Sequence, residues 1–280
     1  MDDRDERAGR GSLILGGAAR NVSIATLSTV VFFVALGVIV VNAPGWQKVK
    51  TFFFSPDVFR AYFRTIGHAF ALNIKIFLVA EVVILLLALG LAVLRSLPGP
   101  VFFPLRLMAI VYTDIFRGIP TILLVYLFGF GIPTLELAHV TRDPVKLGGA
   151  ALVLVYTAYV AEVYRAGIES VHPSQDAAAR SLGLTRGQTL RAVILPQAIR
   201  RVIPPLLNDF IGLQKDTALI SVLGPVEALQ RANLGANTEF NYTPYLVTAF
   251  FFVLITIPQA RFTDWLIERD RGRQRAGGRV

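Results

Sequence analysis

Long apolar stretches dominate the pattern of hydrophobic and polar positions along the chain. A helix needs about 20 mostly apolar residues to cross a bilayer, and helices are favoured in lipid because their backbone groups are satisfied within the segment. The pattern therefore predicts an all-α integral membrane protein. The stretches that reach this length are Val22–Val41, Ile66–Leu94, Leu105–Phe130, Leu147–Ile168 and Tyr245–Leu266.

A sixth stretch, Ile203–Leu223, is a weaker candidate because it contains three charged residues, among them Asp209. Pro204 and Pro205 suit the first turn of a helix that begins there, where a missing N–H group costs nothing. With this stretch included, we expect about six transmembrane helices and both termini on one side of the membrane. With five helices the termini would face opposite sides.

Composition and charge agree with a membrane protein. Hydrophobic residues make up 54% of the chain and charged residues 17%, against about 25% charged residues in a typical soluble domain. The net charge of +9 would suggest nucleic-acid binding in a soluble protein. Here most Lys and Arg residues fall in segments that are cytoplasmic if both termini are inside, as the positive-inside rule expects. We therefore expect the chain to contact the lipid bilayer and to bind no nucleic acid.

Side chains that commonly hold metals or react covalently are scarce. The chain has no cysteine, which excludes disulfides, thiolate zinc sites and a cysteine nucleophile. Three scattered histidines give no metal-ligand spacing, so no metal site is expected. The first apolar stretch is longer than a signal-peptide core, and we interpret it as a retained helix.

The polar connection between the fourth and fifth stretches predicts two short helices outside the membrane. Pro173 suits the first helical position, and Gly183 suits a helix end. Thr185 and Gln188 have the spacing of a capping box for a second helix, which is expected to end before Pro196. A run of small residues on the first helix would let a partner approach closely. The alternative is a solvated cytoplasmic hairpin with no partner.

This connection resembles the EAA loop of the permease subunits of ABC importers. The family pattern is Glu-Ala-Ala, three residues, Gly, nine residues, Ile, one residue, Leu-Pro. The Glu position is occupied here by Ala177, and the neighbouring Asp176 is the expected substitute for part of the lost charge. The matching positions are Ala177, Ala178, Ala179, Gly183, Val193, Leu195 and Pro196.

Other segments are similar to the polar amino acid branch of that family. They are TDIFRGIP from Thr113, AYVAEVYRAGIESVHPSQ from Ala158, and LPQAIRRVIPPLLNDFIGLQKDTALISVLG from Leu195. The resemblance implies the permease fold of type I ABC importers, with a cytoplasmic coupling helix. It also implies four segments: a cytoplasmic tail (1–21), an extra helix with an outer loop (22–61), the permease domain (62–268, with the EAA loop at about 170–201) and a basic cytoplasmic tail (269–280).

The resemblance further implies partners and a docking surface. The partners would be ABC ATPase subunits, a second permease subunit of the same or a similar sequence, and an extracytoplasmic solute-binding protein. The location would be the prokaryotic plasma membrane, with both termini cytoplasmic. The residues expected to contact the ATPase are Asp176, Ala177, Ala178, Ala179, Gly183, Leu184, Leu195 and Pro196.

Ionisable side chains within the apolar stretches are costly in lipid, and they usually mark a pathway or pair with each other. One interpretation is a polar path for an amino acid; the other is internal ion pairs that hold helices together. The i,i+3 spacing of Asp114 with Arg117 and of Glu162 with Arg165 would permit such pairs. The candidate pathway residues are Asn73, Asp114, Arg117, Glu162, Lys215, Asp216 and Thr217.

Motifs for covalent chemistry and nucleotide binding are absent from the sequence. Without a GxxxxGK[ST] loop, we expect no cofactor in this chain, with ATP and Mg²⁺ bound by a partner subunit. The preferred function is the channel of an ATP-driven importer of polar amino acids, with some preference for glutamate, glutamine or aspartate. The alternative is a stand-alone ion-coupled transporter or channel, with Glu81 or Asp216 as its ion site.

Overall fold

The computed structural model of the protein describes the backbone of residues 3–97 and 99–277, and the surroundings of side chains from 21–97 and 99–269. Within these ranges the chain forms helices and no strand. It divides into two compact units, residues 1–55 and 56–280.

The first unit contains α1 (Asp3–Val41) and α2 (Trp46–Phe53). The part of α1 from Asn21 to Val41 is long and apolar enough to span a membrane, and none of its most apolar window is buried by other protein atoms. An apolar helix with every face exposed is suited to lipid rather than to water. The first predicted stretch, Val22–Val41, is helical because it lies within α1.

The second unit holds the remaining helices, joined by short connections. A π-helical turn, Leu127–Gly131, joins α5 to α6; a second one, Leu190–Ile194, joins α9 to α10; and a 3₁₀ segment, Thr217–Leu223, follows α10. The α-helices are α3 (Pro56–Ser96), α4 (Phe103–Gly118), α5 (Thr121–Tyr126), α6 (Ile132–Thr134), α7 (Pro144–Glu169), α8 (Pro173–Ser181), α9 (Arg186–Thr189), α10 (Leu195–Asp216), α11 (Ala228–Glu239) and α12 (Thr243–Gly277).

Helix α7 is the centre of the second unit. It packs against α3, α4, α5 and α10, and its side chains contribute much of the larger buried cluster. Two of its glycines allow this close packing. A Cβ atom at Gly148 would lie 2.9 Å from Ile220 Cγ1, and one at Gly167 would lie 2.0 Å from Val202 Cγ2. Small residues at helix contacts are typical of membrane bundles, where packing rather than water drives association.

The number of spanning helices is four by length and composition among the described residues, or five if a bent pair counts as one span. That pair is α4 and α5–α6, which meet at 103°. The prediction of one continuous helix over Leu105–Phe130 was therefore wrong. Ile119 is extended, with ψ 132°, because it precedes Pro120, and a residue before proline is disfavoured in helical conformation.

The weak sixth stretch is helical, but it does not meet the same length and apolarity criteria. It lies across α10 and the 3₁₀ segment that follows. Pro204 and Pro205 lie inside α10 rather than in its first turn, because the helix already starts at Leu195. Six spans with both termini on one side remain a prediction.

Candidate functional site

Helix α8 begins as the sequence indicated. Pro173 is its first residue, and the ring of His172 accepts a hydrogen bond from the backbone N–H of Ser174 at 3.2 Å. Asp176 lies in the first turn and pairs with Arg180, with 3.4 Å between Asp176 Oδ2 and Arg180 Nε. The carboxylate expected to substitute for the missing glutamate is therefore matched by a cation on its own helix.

Helix α8 ends in a Schellman motif at Gly183, which has a φ of +85°. The Gly183 N–H donates to the Arg180 carbonyl at 2.9 Å, and the Leu184 N–H donates to the Ala179 carbonyl at 3.2 Å. This pair of hydrogen bonds requires a left-handed residue, which glycine adopts without strain. The chain therefore makes a sharp elbow at Gly183.

Helix α9 starts directly after the elbow with the predicted capping box. The Thr185 hydroxyl accepts from the Gln188 N–H at 3.4 Å, and the Thr185 N–H donates to the Gln188 side-chain oxygen at 2.9 Å. Each contact satisfies a backbone donor that the helix start would otherwise leave free.

The prediction that the second helix ends before Pro196 was wrong. The chain continues from α9 through the π-helical turn into α10. The Leu195 N–H donates to the Leu190 carbonyl, which is one residue further back than in an α-helix. Pro196 lies in the first turn of α10. A proline that interrupts the α-helical ladder can be accommodated where the ladder has already widened, as at a π-bulge.

The expected docking residues of α8 and the elbow form an open surface, whereas Leu195 is on α10 and lines a separate cavity with residues of α3 such as Leu89. Ala177, Ala178 and Gly183 are exposed, and Leu182 is 81% exposed. The exceptions are Ala179, which is buried, and Leu184 and Asp176, which are half-buried; Leu195 and Pro196 are exposed. A concavity of about 460 Å³ lies beside this surface, lined by Leu182, Gly183, Leu184, Gln188, Arg191 and Ala192.

The base of this loop is fastened to the helical bundle. The Arg201 guanidinium donates to the Ser170 carbonyl, which connects the start of α10 to the end of α7. On α7, Arg165 pairs with Glu162 and with Glu169. A displacement of the elbow would therefore act on α7 and α10 together.

The ionisable pathway candidates on α4 and α7 lie in different surroundings. Glu162 pairs with Arg165, as its spacing permits, and also with Arg95 of α3 at 3.0 Å. No ion pair between Asp114 and Arg117 is found among the described residues; Asp114 is exposed. The Arg117 guanidinium carbon lies 5.7 Å from the centre of the Tyr159 ring.

Asn73 and Thr217 belong to one buried hydrogen-bond network. Asn73 Nδ2 donates to Thr217 Oγ1 at 3.1 Å and to Glu227 Oε2 at 2.8 Å. The Asn73 carbonyl oxygen accepts from the Ala228 N–H at 3.1 Å. Both the amide nitrogen and the carbonyl oxygen of the Asn73 side chain therefore have partners, and these contacts join α3 to the start of α11.

Lys215 and Asp216 point into different surroundings. Lys215 is exposed. Asp216 is half-buried and accepts a hydrogen bond from the Tyr156 hydroxyl of α7 at 3.0 Å. Two residues before Asp216, the buried Gln214 accepts from the Thr256 hydroxyl of α12 at 3.1 Å. The structure therefore brings the Asp216 carboxylate to α7, whereas the next residue, Thr217, belongs to the Asn73 network.

Glu227 is a central residue that sequence reasoning missed. It is fully buried, and its carboxylate accepts from the N–H groups of Leu229 and Gln230, at 2.9 and 2.7 Å, at the start of α11. Glu227 lies outside the segments long enough to span a membrane. Burial raises its pKa, and the two backbone hydrogen bonds and that from Asn73 act in the opposite direction. The one sequence feature that could have indicated Glu227 is its position as an acidic residue just before a helical segment.

Three further residues lacked any local sequence signal. Arg95, Tyr156 and Arg201 each reach a partner on another helix. Among the described residues, no group of His, Cys, Asp or Glu is placed to hold a metal ion. The arrangement suits docking and the transmission of movement.

Comparison with known proteins agrees with this arrangement. Residues 93–271 match the family model described as the inner membrane component of binding-protein-dependent transport systems. The chain is 36% identical over 184 residues to the probable glutamine ABC transporter permease protein GlnM of Bacillus subtilis (strain 168), covering 65% of this chain and 82% of that protein. It is 32% identical over 189 residues to the arginine transport system permease protein ArtQ of the same organism, covering 67% and 84%.

A solved structure, described as an amino acid ABC transporter with histidines, has a similar fold. It superposes with a TM-score of 0.68 at 29% identity, covering 75% of this chain and 95% of that chain. The alternative of a stand-alone ion-coupled transporter is not favoured by these findings, and in such systems the ATPase is a separate subunit. The chain belongs to the family of inner membrane components of binding-protein-dependent transport systems, the permease subunits of ABC transporters.

Proposed function

We propose that this chain, with a second permease subunit, forms the channel through which a bacterial ABC importer moves polar amino acids inward. ATPase subunits dock on the surface around Gly183, and an extracytoplasmic binding protein delivers the solute. The chain lies in the plasma membrane with both termini in the cytoplasm. Transport is by alternating access, in which ATP binding and hydrolysis favour different states of one assembly.

The observation that carries the docking proposal is the elbow between α8 and α9. Its conformation is fixed by the Schellman motif and the capping box, and yet its outer face is left uncovered, with Leu182 81% exposed. Leu182 and the concavity beside it form one exposed surface on an ordered turn, and contiguous exposed apolar patches mark sites where proteins interact.

The route from the docking surface to the channel follows from the contacts at the base of the loop. Arg201 contacts Ser170 at the end of α7, and Val202 packs on Gly167. The α9–α10 segment is continuous up to Asp216, whose carboxylate contacts Tyr156 on α7. A movement imposed by the ATPase would therefore reach the half-buried polar groups of the bundle along two helices.

The proposed solute is an amino acid with an acidic or amide side chain. Its support is the exposed cations Arg117 and Lys215 and the similarity to a probable glutamine permease. Relatives include an arginine permease, so uptake into proteoliposomes holding the binding protein should be compared for labelled glutamine, glutamate and arginine. Glutamine or glutamate uptake is expected to be the fastest, and fastest uptake of arginine would contradict the preference.

Coupling can be tested by reconstituting the permease with its ATPase and binding protein. Ala178→Arg places a bulky cation on the exposed face of α8 without disturbing the elbow, because Ala178 is exposed and helical. We expect solute-stimulated ATP hydrolysis to fall at least about 10-fold, the loss of about 1.4 kcal/mol of docking energy.

The matched control is Ala61→Arg, since Ala61 is also an exposed helical alanine, near the start of α3. It should leave hydrolysis within about twofold of the parent protein, because surface substitutions away from a contact have small effects. Normal stimulation in the Ala178→Arg assembly, with the ATPase still bound, would contradict docking at this surface.

A further inference from the structure

A groove lies between α3 and α7, and the proposed transport function gives it no role. Its volume is about 670 Å³, within the range of about 300–1,000 Å³ that ligand sites use. Its walls are almost entirely apolar, with charged side chains among the lining residues only at Lys75, Asp143 and Lys146. The lining residues that bear on a ligand are Lys75, Val79, Val83, Asp143, Lys146 and Gly149.

The two helices that form the groove run in the same direction. Lys75 and Lys146 line the groove together, and further along the same helices Arg95 pairs with Glu162 at 3.0 Å. From the first pair to the second, the residue number increases on α3 and also on α7. The lysines therefore share one end of the groove, and Val83 lies about 12 Å further along α3 at 1.5 Å per residue.

The charged end has cations that are available to a ligand. Lys75 and Lys146 are exposed, and no ion pair of either lysine is found among the described residues. Asp143 is used locally, since its carboxylate caps α7 by accepting from the Val145 N–H at 2.9 Å. Two lysines and one aspartate leave this end of the groove with a net charge of +1.

The apolar part of the groove is open to the surroundings of the protein. Val79 is 60% exposed and Val83 38% exposed, and a Cβ atom at Gly149 would meet nothing within 4 Å. A zwitterionic amino acid would lose its hydration on these walls without any polar replacement. An acyl chain loses nothing there, because both the groove and the surrounding lipid are apolar.

We propose that this groove binds one anionic phospholipid of the phosphatidylglycerol type. Its phosphodiester lies between the Lys75 and Lys146 ammonium groups, and one acyl chain lies along Val79 and Val83 over Gly149. The net charge of +1 matches a headgroup that carries one negative charge and no ammonium group. Basic side chains at a membrane surface attract anionic lipids in this way, and long lysine stems reach the headgroup level from an apolar surface.

The test is native mass spectrometry of the purified full chain, titrated separately with phosphatidylglycerol, phosphatidylethanolamine and phosphatidylcholine. We expect one phosphatidylglycerol per chain to bind before any other lipid. The double variant Lys75→Gln, Lys146→Gln should weaken that first binding event about 30-fold, the factor expected from two basic residues. The control Lys48→Gln, Lys50→Gln removes two lysines elsewhere and should leave it unchanged.

The acyl-chain half of the site has its own variant. Gly149→Leu should fill the groove and weaken phosphatidylglycerol binding at least about 10-fold, the amount expected from blocking a buried apolar contact. Gly90→Leu is the matched control, because a Cβ atom at Gly90 also meets nothing within 4 Å and Gly90 is outside the groove. Equal binding of all three lipids, or equal losses in variants and controls, would overturn the proposal.

Discussion

At the residue scale, Asn73 shows how the buried interior of the second unit is held together. Its side chain is 1% exposed and makes three hydrogen bonds, to Thr217, Glu227 and the backbone of Ala228. A buried carboxylate such as that of Glu227 is tolerable only when donors surround it. These contacts support a structural role for Asn73, whereas its contact with the solute stays a prediction.

The substitution Asn73→Ala tests this role. It removes one of the donors to Glu227 and leaves buried polar atoms unpaired, which costs about 2 kcal/mol. The variant should therefore unfold at a lower temperature in detergent, measured by the change in helical circular dichroism. Asn237→Ala is the control: Asn237 is exposed, and among the described residues its side chain bonds to Asn233 on its own helix, so a small change is expected.

The same variant separates the two interpretations of Asn73. A structural residue lowers the unfolding temperature and leaves the apparent affinity for solute unchanged in the folded fraction. An unchanged unfolding temperature together with a weakened solute affinity would contradict the structural role and favour a place in the pathway.

At the element scale, the α8–α9 elbow depends on a few short-range contacts. The capping box of Thr185 and Gln188 fixes the start of a helix of only four residues, which would not persist by itself. We predict that Thr185→Ala destabilises this start by about 1 kcal/mol. Amide hydrogen exchange at residues 186–189 should then become several-fold faster, measured by mass spectrometry on the reconstituted complex.

Thr238→Ala provides the comparison, since the Thr238 hydroxyl donates only to the Leu234 carbonyl of its own helix. It should not change exchange at the elbow. Unchanged exchange in Thr185→Ala would show that the elbow is held by tertiary contacts instead of its cap.

The elements that were predictable from sequence are those fixed by neighbours in the chain. The capping box, the glycine turn at Gly183 and the Glu162–Arg165 pair each lie within four residues, where spacing permits the contact. Spacing was not sufficient everywhere, because Asp114 and Arg117 have the same separation and Asp114 is exposed instead. The apolar stretches predicted the helices for the same reason, because each is recognised by its own composition.

The elements that were not predictable depend on contacts between distant segments. Asn73 and Glu227 are separated by 154 positions, and no pattern within one sequence joins them. The passage of the helix through Pro196 required a π-helical turn, which has no sequence signature comparable to a cap. The bend at Pro120 was visible as a proline, but its angle of 103° depends on packing against α7.

At the scale of the whole molecule, the division at residues 55 and 56 separates the first apolar helix from the part that carries the family match. Residues 93–271 match the family model, and both buried clusters consist of residues from the second unit. The second unit therefore contains its own core.

A variant that starts with Met followed by Pro56 tests this independence. We predict that it inserts, assembles with the ATPase and retains solute-stimulated hydrolysis within about threefold, a change of less than about 1 kcal/mol. The measurement is hydrolysis after reconstitution, normalised to the amount of assembled complex.

The matched truncation ends at residue 242 and removes α12, which contributes Val247 to a buried cluster. This variant should fail to assemble, because an apolar core would be exposed. Loss of hydrolysis in the variant starting at Pro56, with normal assembly, would show that the first unit takes part in coupling.

The π-helical turn at Leu190–Ile194 has a mechanical consequence. The continuous helical segment from Arg186 to Asp216 is about 45 Å long at 1.5 Å per residue, and its π-helical turn lies near the Arg186 end. If this turn rewound to α geometry, the helix beyond it would rotate about its own axis relative to the elbow. A displacement of the elbow would then reach Asp216 as a rotation rather than only as a translation.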